Sequence, residues 1–161
     1  MIEIIDNFLS DFDFRIIENQ FLGPKIMWQF NPTTEYEFHS EKQPFQFVHG
    51  LYNNFSPQSE YFHYIKPFTK KLNVNAFFRV KVNLTTRLER IIEGDFHVDQ
   101  FFDHKVAIFY LNTCDGYTLF ENGEKVNSVE NRIVLFNGSL KHKGTNCTDK
   151  QRRVVINFNY L

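Results

Sequence analysis

His97 and Asp99 stand two residues apart in GDFHVDQFFDHKVAIFYLN, immediately ahead of the apolar run VAIFYL. In an extended segment, residues i and i+2 point the same way, so an imidazole and a carboxylate lie side by side while Val98 faces away. Two such groups suit a divalent first-row metal, but a tight site needs a third ligand from elsewhere in the chain. The chain has six histidines. His39, His49 and His63 precede the strand-rich half, and His104 opens the strand after Asp99. His142, in FNGSLKHKGTN, lies between the last two apolar runs. In a jelly roll, strands distant in sequence become neighbours, which places His142 to complete a His-x-Asp…His set. Two histidines and one carboxylate with open positions are the signature of non-haem Fe(II) oxygenases. A His-x-Asp pair by itself is also met in ordinary surface turns, and a histidine between two lysines reads as surface. The surrounding elements must decide.

Those elements change character along the chain. In NFLSDFDFRIIENQFLGP, Ser10 is an N-cap, Asp11 and Asp13 favour the positive helix end, and Phe14, Ile17 and Phe21 share one face. Gly23-Pro24 stops this helix. A second helix is expected within SPQSEYFHYIKPFTKKL, with Phe62 and Ile65 inward and a break near Pro67. Residues 30–58 read as irregular, aromatic-rich loops with one or two short strands. From about Asn75 the period becomes two: Phe78, Val80, Val82 and Leu84 alternate with Arg79, Lys81, Asn83 and Thr85. Further strands are expected in HKVAIFYLN, YTLFENGEKV, NRIVLFNG and RRVVINFNYL, with tight turns at Asn122-Gly123 and Asn137-Gly138. Helices followed by a series of short strands indicate an α+β fold, an antiparallel sandwich or barrel with helices on one side.

The formal net charge of the 161 residues is -1, which provides no general attraction to nucleic acid or anionic membrane. The local basic excess KHKGTNCTDKQRR reads as a solvated loop, one arginine excepted. Phe (20) and Tyr (7) supply an aromatic, strand-compatible core. The two cysteines, Cys114 and Cys147, lack the spacing of a zinc knuckle. The acidic start MIEIIDNFLSDFDF is unlike a signal peptide, and no segment has the length of a membrane span. A cytoplasmic location is therefore expected, which would be the host cytoplasm for a phage-encoded protein.

FHVD, AIFYLN, DGYTLF, NRIVLFNGSLKHKG and RRVVINFNY follow one another in an order that resembles the 2-oxoglutarate and Fe(II)-dependent oxygenases. The resemblance is to the prolyl 4-hydroxylase-like class, and within it to the small stand-alone members of phage and bacteria. It covers residues 76–161 and, more loosely, the first 20, where IIDNFLSDFDFRIIE is similar to the family's opening segment. The resemblance implies a double-stranded β-helix (a cupin-like jelly roll) with the N-terminal helices packed on one sheet. It implies a single domain over 1–161, helical to about residue 74 and jelly-roll from about 75. It also implies iron ligation by His97, Asp99 and His142, with 2-oxoglutarate and O2 as cosubstrates and ascorbate as a possible reductant.

The family holds the far carboxylate of 2-oxoglutarate with a basic residue about ten positions after the second histidine, where this chain has Arg152 and Arg153. Val154, Ile156, Phe158 and Tyr160 form an apolar face, leaving Arg153 with Asn157 and Asn159 on the polar one, so Arg153 is the choice and Arg152 the fallback. Arginine suits the role through its planar fork and permanent charge. Tyr110 matches a family tyrosine that reaches the same carboxylate, and Asn83 and Thr118 are further candidates on flanking strands. The implied reaction is hydroxylation of a C–H bond with release of succinate and CO2, on a prolyl peptide or a small molecule. The chain departs from the family pattern in carrying arginine where collagen-type enzymes have lysine, and one glycine in DGYT where two are common. A non-catalytic metal-binding cupin and a nucleic-acid demethylase are the alternatives. Arg153 argues against the first and the neutral charge against the second. Asp99 argues against a halogenase. FQFVHGLYNNF is a candidate substrate lid.

Overall fold

The alternation that begins at residue 77 organises the molecule. In the computed structural model, which describes residues 1–33 and 45–161, the elements run β1 (Glu3–Ile5), α1 (Asp11–Phe21), β2 (Gln29–Asn31), β3 (Gln46–Asn53), β4 (Ser56–Pro57), a 3-10 helix (Glu60–Ile65), α2 (Lys66–Lys71), β5 (Phe77–Thr86), β6 (Lys105–Tyr110), β7 (Tyr117–Phe120), β8 (Lys125–Asn127), β9 (Arg132–Asn137), β10 (His142–Gly144) and β11 (Arg152–Tyr160). An eight-stranded sheet has the order β1-β9-β6-β11-β5-β3-β2, with β4 beside β3, and faces a three-stranded sheet β10-β7-β8. The two antiparallel sheets form a jelly roll with α1 and α2 on the outer side of the larger one.

Strand β11 lies at the centre, pairing Ile156 with Val82 of β5 and with Phe109 of β6. Because successive side chains alternate, each of these strands feeds two layers. Val80, Val82, Leu84, Phe109, Val154, Ile156 and Phe158 pack outward with Phe14, Ile17, Phe21 and Phe68 of the helices. Val106, Ile108, Tyr110 and Val155 point inward and meet Phe120, Val126 and Phe136 between the sheets. Phe158 is fully buried, with its ring 4.7 Å from that of Phe68.

Helix α1 starts as its sequence directs: Ser10 Oγ accepts from Asp13 N at 3.2 Å, and Phe14, Ile17 and Phe21 are its buried residues. The second helical stretch differs from expectation. Pro67 lies in the first turn of α2, where its missing N–H costs nothing, so it marks a helix start after a 3-10 turn rather than a break. Ile65 is buried there and Phe62 packs against the core.

Residues 1–74 are less helical than the sequence suggests. They supply β1, which pairs with β9, and the eight-residue β3, which pairs with β5 along much of its length. The strand character of β3 is masked in sequence because Gln46, His49, Gly50 and Asn53 interrupt its apolar residues, and a register shift at Gly50–Tyr52 breaks the alternation. The one or two short strands expected within 30–58 are present at its described ends, with β3 longer than expected. The middle of that segment, with His39, lies outside the described residues. Gly123, at φ +87°, takes the left-handed turn expected between β7 and β8.

Candidate active site

Backbone pairing brings His97 and His142 together. His97 N donates to His142 O, and His142 N to His97 O, each at 3.0 Å. This antiparallel bridge joins the segment ahead of β6 to β10, and β10 is in turn fixed by pairing His142 with Phe120 of β7. The two imidazole centroids lie 4.8 Å apart. Asp99 follows on the same side, and the ligand atoms of His97, Asp99 and His142 all lie within 4.8 Å of one another. Donors sharing one ion through bonds of about 2 Å sit within roughly 4 Å of each other; His142 Nε2 and Asp99 Oδ2, 3.8 Å apart, meet that spacing, and the full triad approaches it.

The protonation states suit that use. A carbonyl can only accept, so His97 Nδ1 donates to Asp95 O at 3.0 Å and His142 Nδ1 to Leu140 O at 3.4 Å, leaving Nε2 as the ring nitrogen not engaged by backbone. Burial pushes His142 down to about 4, Asp99 opposing, so the ring is neutral near pH 7. Asp99 is also buried. Burial alone would raise its carboxyl, but His142, Lys81, Arg79 and the Asn157 amide outweigh it and hold it well below the usual carboxylate range. Arg79 Nη2 donates to Asp99 Oδ1 at 2.7 Å and Asn157 Nδ2 to Oδ2 at 2.9 Å. Asn159 adds a longer contact to Oδ2 at 3.4 Å. These groups orient an ionised carboxylate, as outer partners of metal ligands do.

The triad opens into a cavity of about 340 Å³ whose walls include Lys81, Asn83, Thr118, Thr145, Val155 and Arg153. Arg153 is 5% exposed. Its Nε donates to Ser128 Oγ at 2.7 Å, Nη2 to Thr118 Oγ1 at 3.2 Å and Nη1 to Thr145 O at 3.3 Å. Tyr110 OH donates to the same Thr118 Oγ1 at 2.9 Å, and its ring lies 5.5 Å from the guanidinium carbon. Burial raises the Tyr110 hydroxyl pKa, so it remains a donor. Among the described residues no carboxylate pairs with Arg153. A buried cation held only by neutral oxygens is costly unless an anion arrives to match it. Arg152 points the other way, its Nη2 donating to Leu22 O at 2.5 Å at the end of α1.

Gly116 explains why DGYT needs its one glycine. A Cβ there would lie 2.4 Å from Asn146 O and 2.6 Å from Arg153 Cδ, displacing the arginine. Asn83 lines the cavity with its Oδ1 buried and unbonded. The other described histidines serve the scaffold. His49 bridges Met27 O and Ser59 Oγ, His63 bonds Glu60 O, and buried His104 bonds Phe102 O. Arg79, Lys81, Asn157 and Asn159 were not singled out from sequence as site residues; the polar rows of β5 and β11 are the signal that contains them. A second close group comprises Cys114, Cys147 and Asp149, with both thiols free and buried. Burial raises Cys147 to about 11, which keeps it protonated.

No protein-family model matches the sequence, and no curated protein matches it at the sequence level. Solved structures do match. The fold is that of the 2-oxoglutarate/Fe(II) oxygenases, prolyl hydroxylases among them. A prolyl hydroxylase from Trichoplax adhaerens, in complex with a hypoxia inducible factor peptide fragment, superposes with a TM-score of 0.71 at 13% identity, over 99% of this chain and 83% of that one. A Pseudomonas putida prolyl-4-hydroxylase gives 0.64 at 14% identity, over 99% and 91%. HygX from Streptomyces hygroscopicus, with nickel and 2-oxoglutarate bound, gives 0.65 at 10% identity, over 99% and 82%. No helix among the described residues is long and apolar enough to cross a membrane.

Proposed function

We propose that this chain, acting as one domain, is an Fe(II)- and 2-oxoglutarate-dependent dioxygenase that hydroxylates a C–H bond of its substrate and releases succinate and CO2. The observation that carries the reading is the placement, in one cavity, of an ionised carboxylate beside two imidazoles and of a buried arginine without an acidic partner among the described residues. The donor set of two nitrogens and one oxygen fits a ferrous ion and leaves part of its coordination sphere open. Arg153 fits the far carboxylate of a dicarboxylic cosubstrate. The likeness to HygX, whose structure holds 2-oxoglutarate, supports the same assignment.

His97, Asp99 and His142 would hold the metal, which when bound supplies the activation of O2 and the oxidation of both cosubstrate and substrate. Arg79 and Asn157 keep Asp99 charged and aimed. Arg153 grips the far carboxylate, while Tyr110 and Thr118 fix the arginine and complete a hydrogen-bonding floor. Ile108, Val155, Leu88 and Ile92 give the cavity its apolar wall and limit water there. The likeness to prolyl hydroxylases supports a prolyl peptide as one substrate class; a small molecule is the other.

The test is anaerobic titration of Mn(II) and then 2-oxoglutarate into wild type and His97→Ala, followed by succinate measurement with Fe(II) in air. The wild type is expected to bind both and to form succinate only with iron present. The variant is expected to lose metal binding while keeping its melting temperature. Equal metal affinity in the two proteins would end the reading.

A further inference from the structure

Lys81 is a cation to which the oxygenase reading assigns no ligand. It lies on the inward face of β5 between Arg79 and Asn83, opposite Asn157 of β11, and its side chain lines the cavity that contains the triad. Among the described residues it has no hydrogen bond and no ion pair, whereas the neighbouring Arg79 is bonded to Asp99. Burial lowers its ammonium pKa to about 8, the neighbouring Arg79 adding to the effect and Asp99 opposing it, the mark of a charge placed in a poorly solvated spot. Two residues along the same face, the buried Asn83 Oδ1 also lacks a donor. Unmatched polar groups of this kind at a cavity wall are expected to meet their partners on a ligand.

A charge inventory of the filled site identifies the missing partner. With a divalent metal and 2-oxoglutarate present, the far carboxylate matches Arg153, and Asp99 with the near carboxylate matches the metal. Arg79 and Lys81 remain in excess on the same wall. Among the described residues the nearby acids do not offset them: Glu93 is bonded to Lys143 Nζ at 2.8 Å, and Asp95 is exposed. Among the described residues the loaded cavity therefore carries an excess of positive charge at the place left for the substrate, beside the triad. A cavity of about 340 Å³ lies at the small end of ligand sites and must hold the cosubstrate as well, so only a compact group can enter.

We infer that the compound hydroxylated carries a carboxylate close to the reacting carbon, and that Lys81 holds it, with Asn83 positioned to accept an N–H from the same ligand. A small free acid of the amino-acid type has this chemistry; the C-terminus of a peptide is the other source of it. This inference rests on the dioxygenase reading and specifies its substrate class.

The test uses the whole chain loaded anaerobically with Mn(II) and N-oxalylglycine. It is screened by thermal shift against small carboxylic acids, N-acyl amino acids and short peptides, each matched with its primary amide. Best binders are titrated by calorimetry into wild type, Lys81→Met, Lys81→Gln and Lys81→Arg. At least one acid is expected to outperform its amide. Lys81→Met and Lys81→Gln should each weaken that acid by about tenfold or more, the scale of a hydrogen bond to a charged group. Binding of the amide and of N-oxalylglycine should stay within about twofold, and Lys81→Arg should restore most of the acid's affinity. Preference for free acids over peptides, or the reverse, identifies the source of the carboxylate. The proposal is overturned if no acid outperforms its amide, or if the variants bind the acid as wild type does. It is equally overturned if they lose N-oxalylglycine instead, which would assign Lys81 to the cosubstrate. A wild type that binds neither Mn(II) nor N-oxalylglycine would overturn the dioxygenase reading itself, a separate and earlier failure.

Discussion

The two faces of the central strands contrast sharply. Along β5 and β11 the outward residues Val80, Val82, Leu84, Val154, Ile156 and Phe158 are buried against the helices. The inward residues Arg79, Lys81, Asn83, Arg153, Asn157 and Asn159 surround the candidate metal and cosubstrate positions. The same backbone thus carries a stabilising layer and a costly one, separated by the thickness of a single sheet. Apolar burial on one side offsets the desolvation of cations and amides on the other. The lesson is that polarity inside this sandwich reports ligands, because nothing in the fold alone rewards it.

The contrast can be broken from the outer face. Phe158→Ala is expected to cost about 3–5 kcal/mol of stability, the range for a large aromatic removed from a packed core. Urea denaturation measures this, while Mn(II) affinity of the folded fraction stays near wild type. A loss of metal affinity without a loss of stability would show that the two faces are not separable.

From the inner face the expectation reverses. Arg153→Met should weaken 2-oxoglutarate by an amount equivalent to about 2–5 kcal/mol, the range for one partner of a buried charge pair, read by calorimetry with Mn(II) present. In the absence of 2-oxoglutarate its melting temperature should be equal to or above wild type, because the variant no longer buries a charge without an acidic partner. A large fall in melting temperature would instead make Arg153 a structural residue.

Arg79→Met tests the shell around Asp99. Metal affinity should fall by about 10–100-fold, as when an outer partner of a ligand is removed. An Mn(II) titration followed by electron paramagnetic resonance gives the figure. The smallest effect belongs to neither face. At the sheet edge, Asp6 bonds Arg132 through Oδ1 at 2.5 Å and Oδ2 at 3.0 Å. The hydrogen bond from Arg132 lowers the Asp6 carboxyl below its ordinary 3.8. A carboxyl with a lowered folded pKa stabilises above the unfolded value, and that contribution disappears as pH falls through the folded one. Asp6→Asn should therefore cost at most about 1 kcal/mol at neutral pH, as for exposed pairs, and nothing at pH well below the carboxylate range. Paired urea melts at the two pH values provide the check.

Much of this organisation was legible in residue order. Period-two alternation revealed β5 and β11, a continuous apolar run revealed β6, and the alternation separated Arg153 from Arg152, since adjacent residues on a strand must face opposite layers. The polar rows of β5 and β11 also contained Lys81 and Arg79, but their types alone do not distinguish a cavity wall from a solvated face. The extent of strand β3 was not legible because its pattern is interrupted at Gly50 and polar residues occupy part of it. Pro67 misled because a proline that ends one helix and a proline that begins another look alike until the preceding turn is known.

The sequence by itself determined the period of each element, the His-x-Asp pair on one side of an extended segment, and the side of the last strand on which each arginine falls. These follow from local geometry, which a few neighbouring residues dictate. Only the tertiary structure decided that His142 comes close to His97 and Asp99, that Arg153 has no acid beside it among the described residues, and that Lys81 faces the same space. Those facts depend on the pairing of β10 with the segment near His97 and of β11 with β5, contacts between residues tens of positions apart. Such contacts form through the burial of whole faces rather than through any local preference.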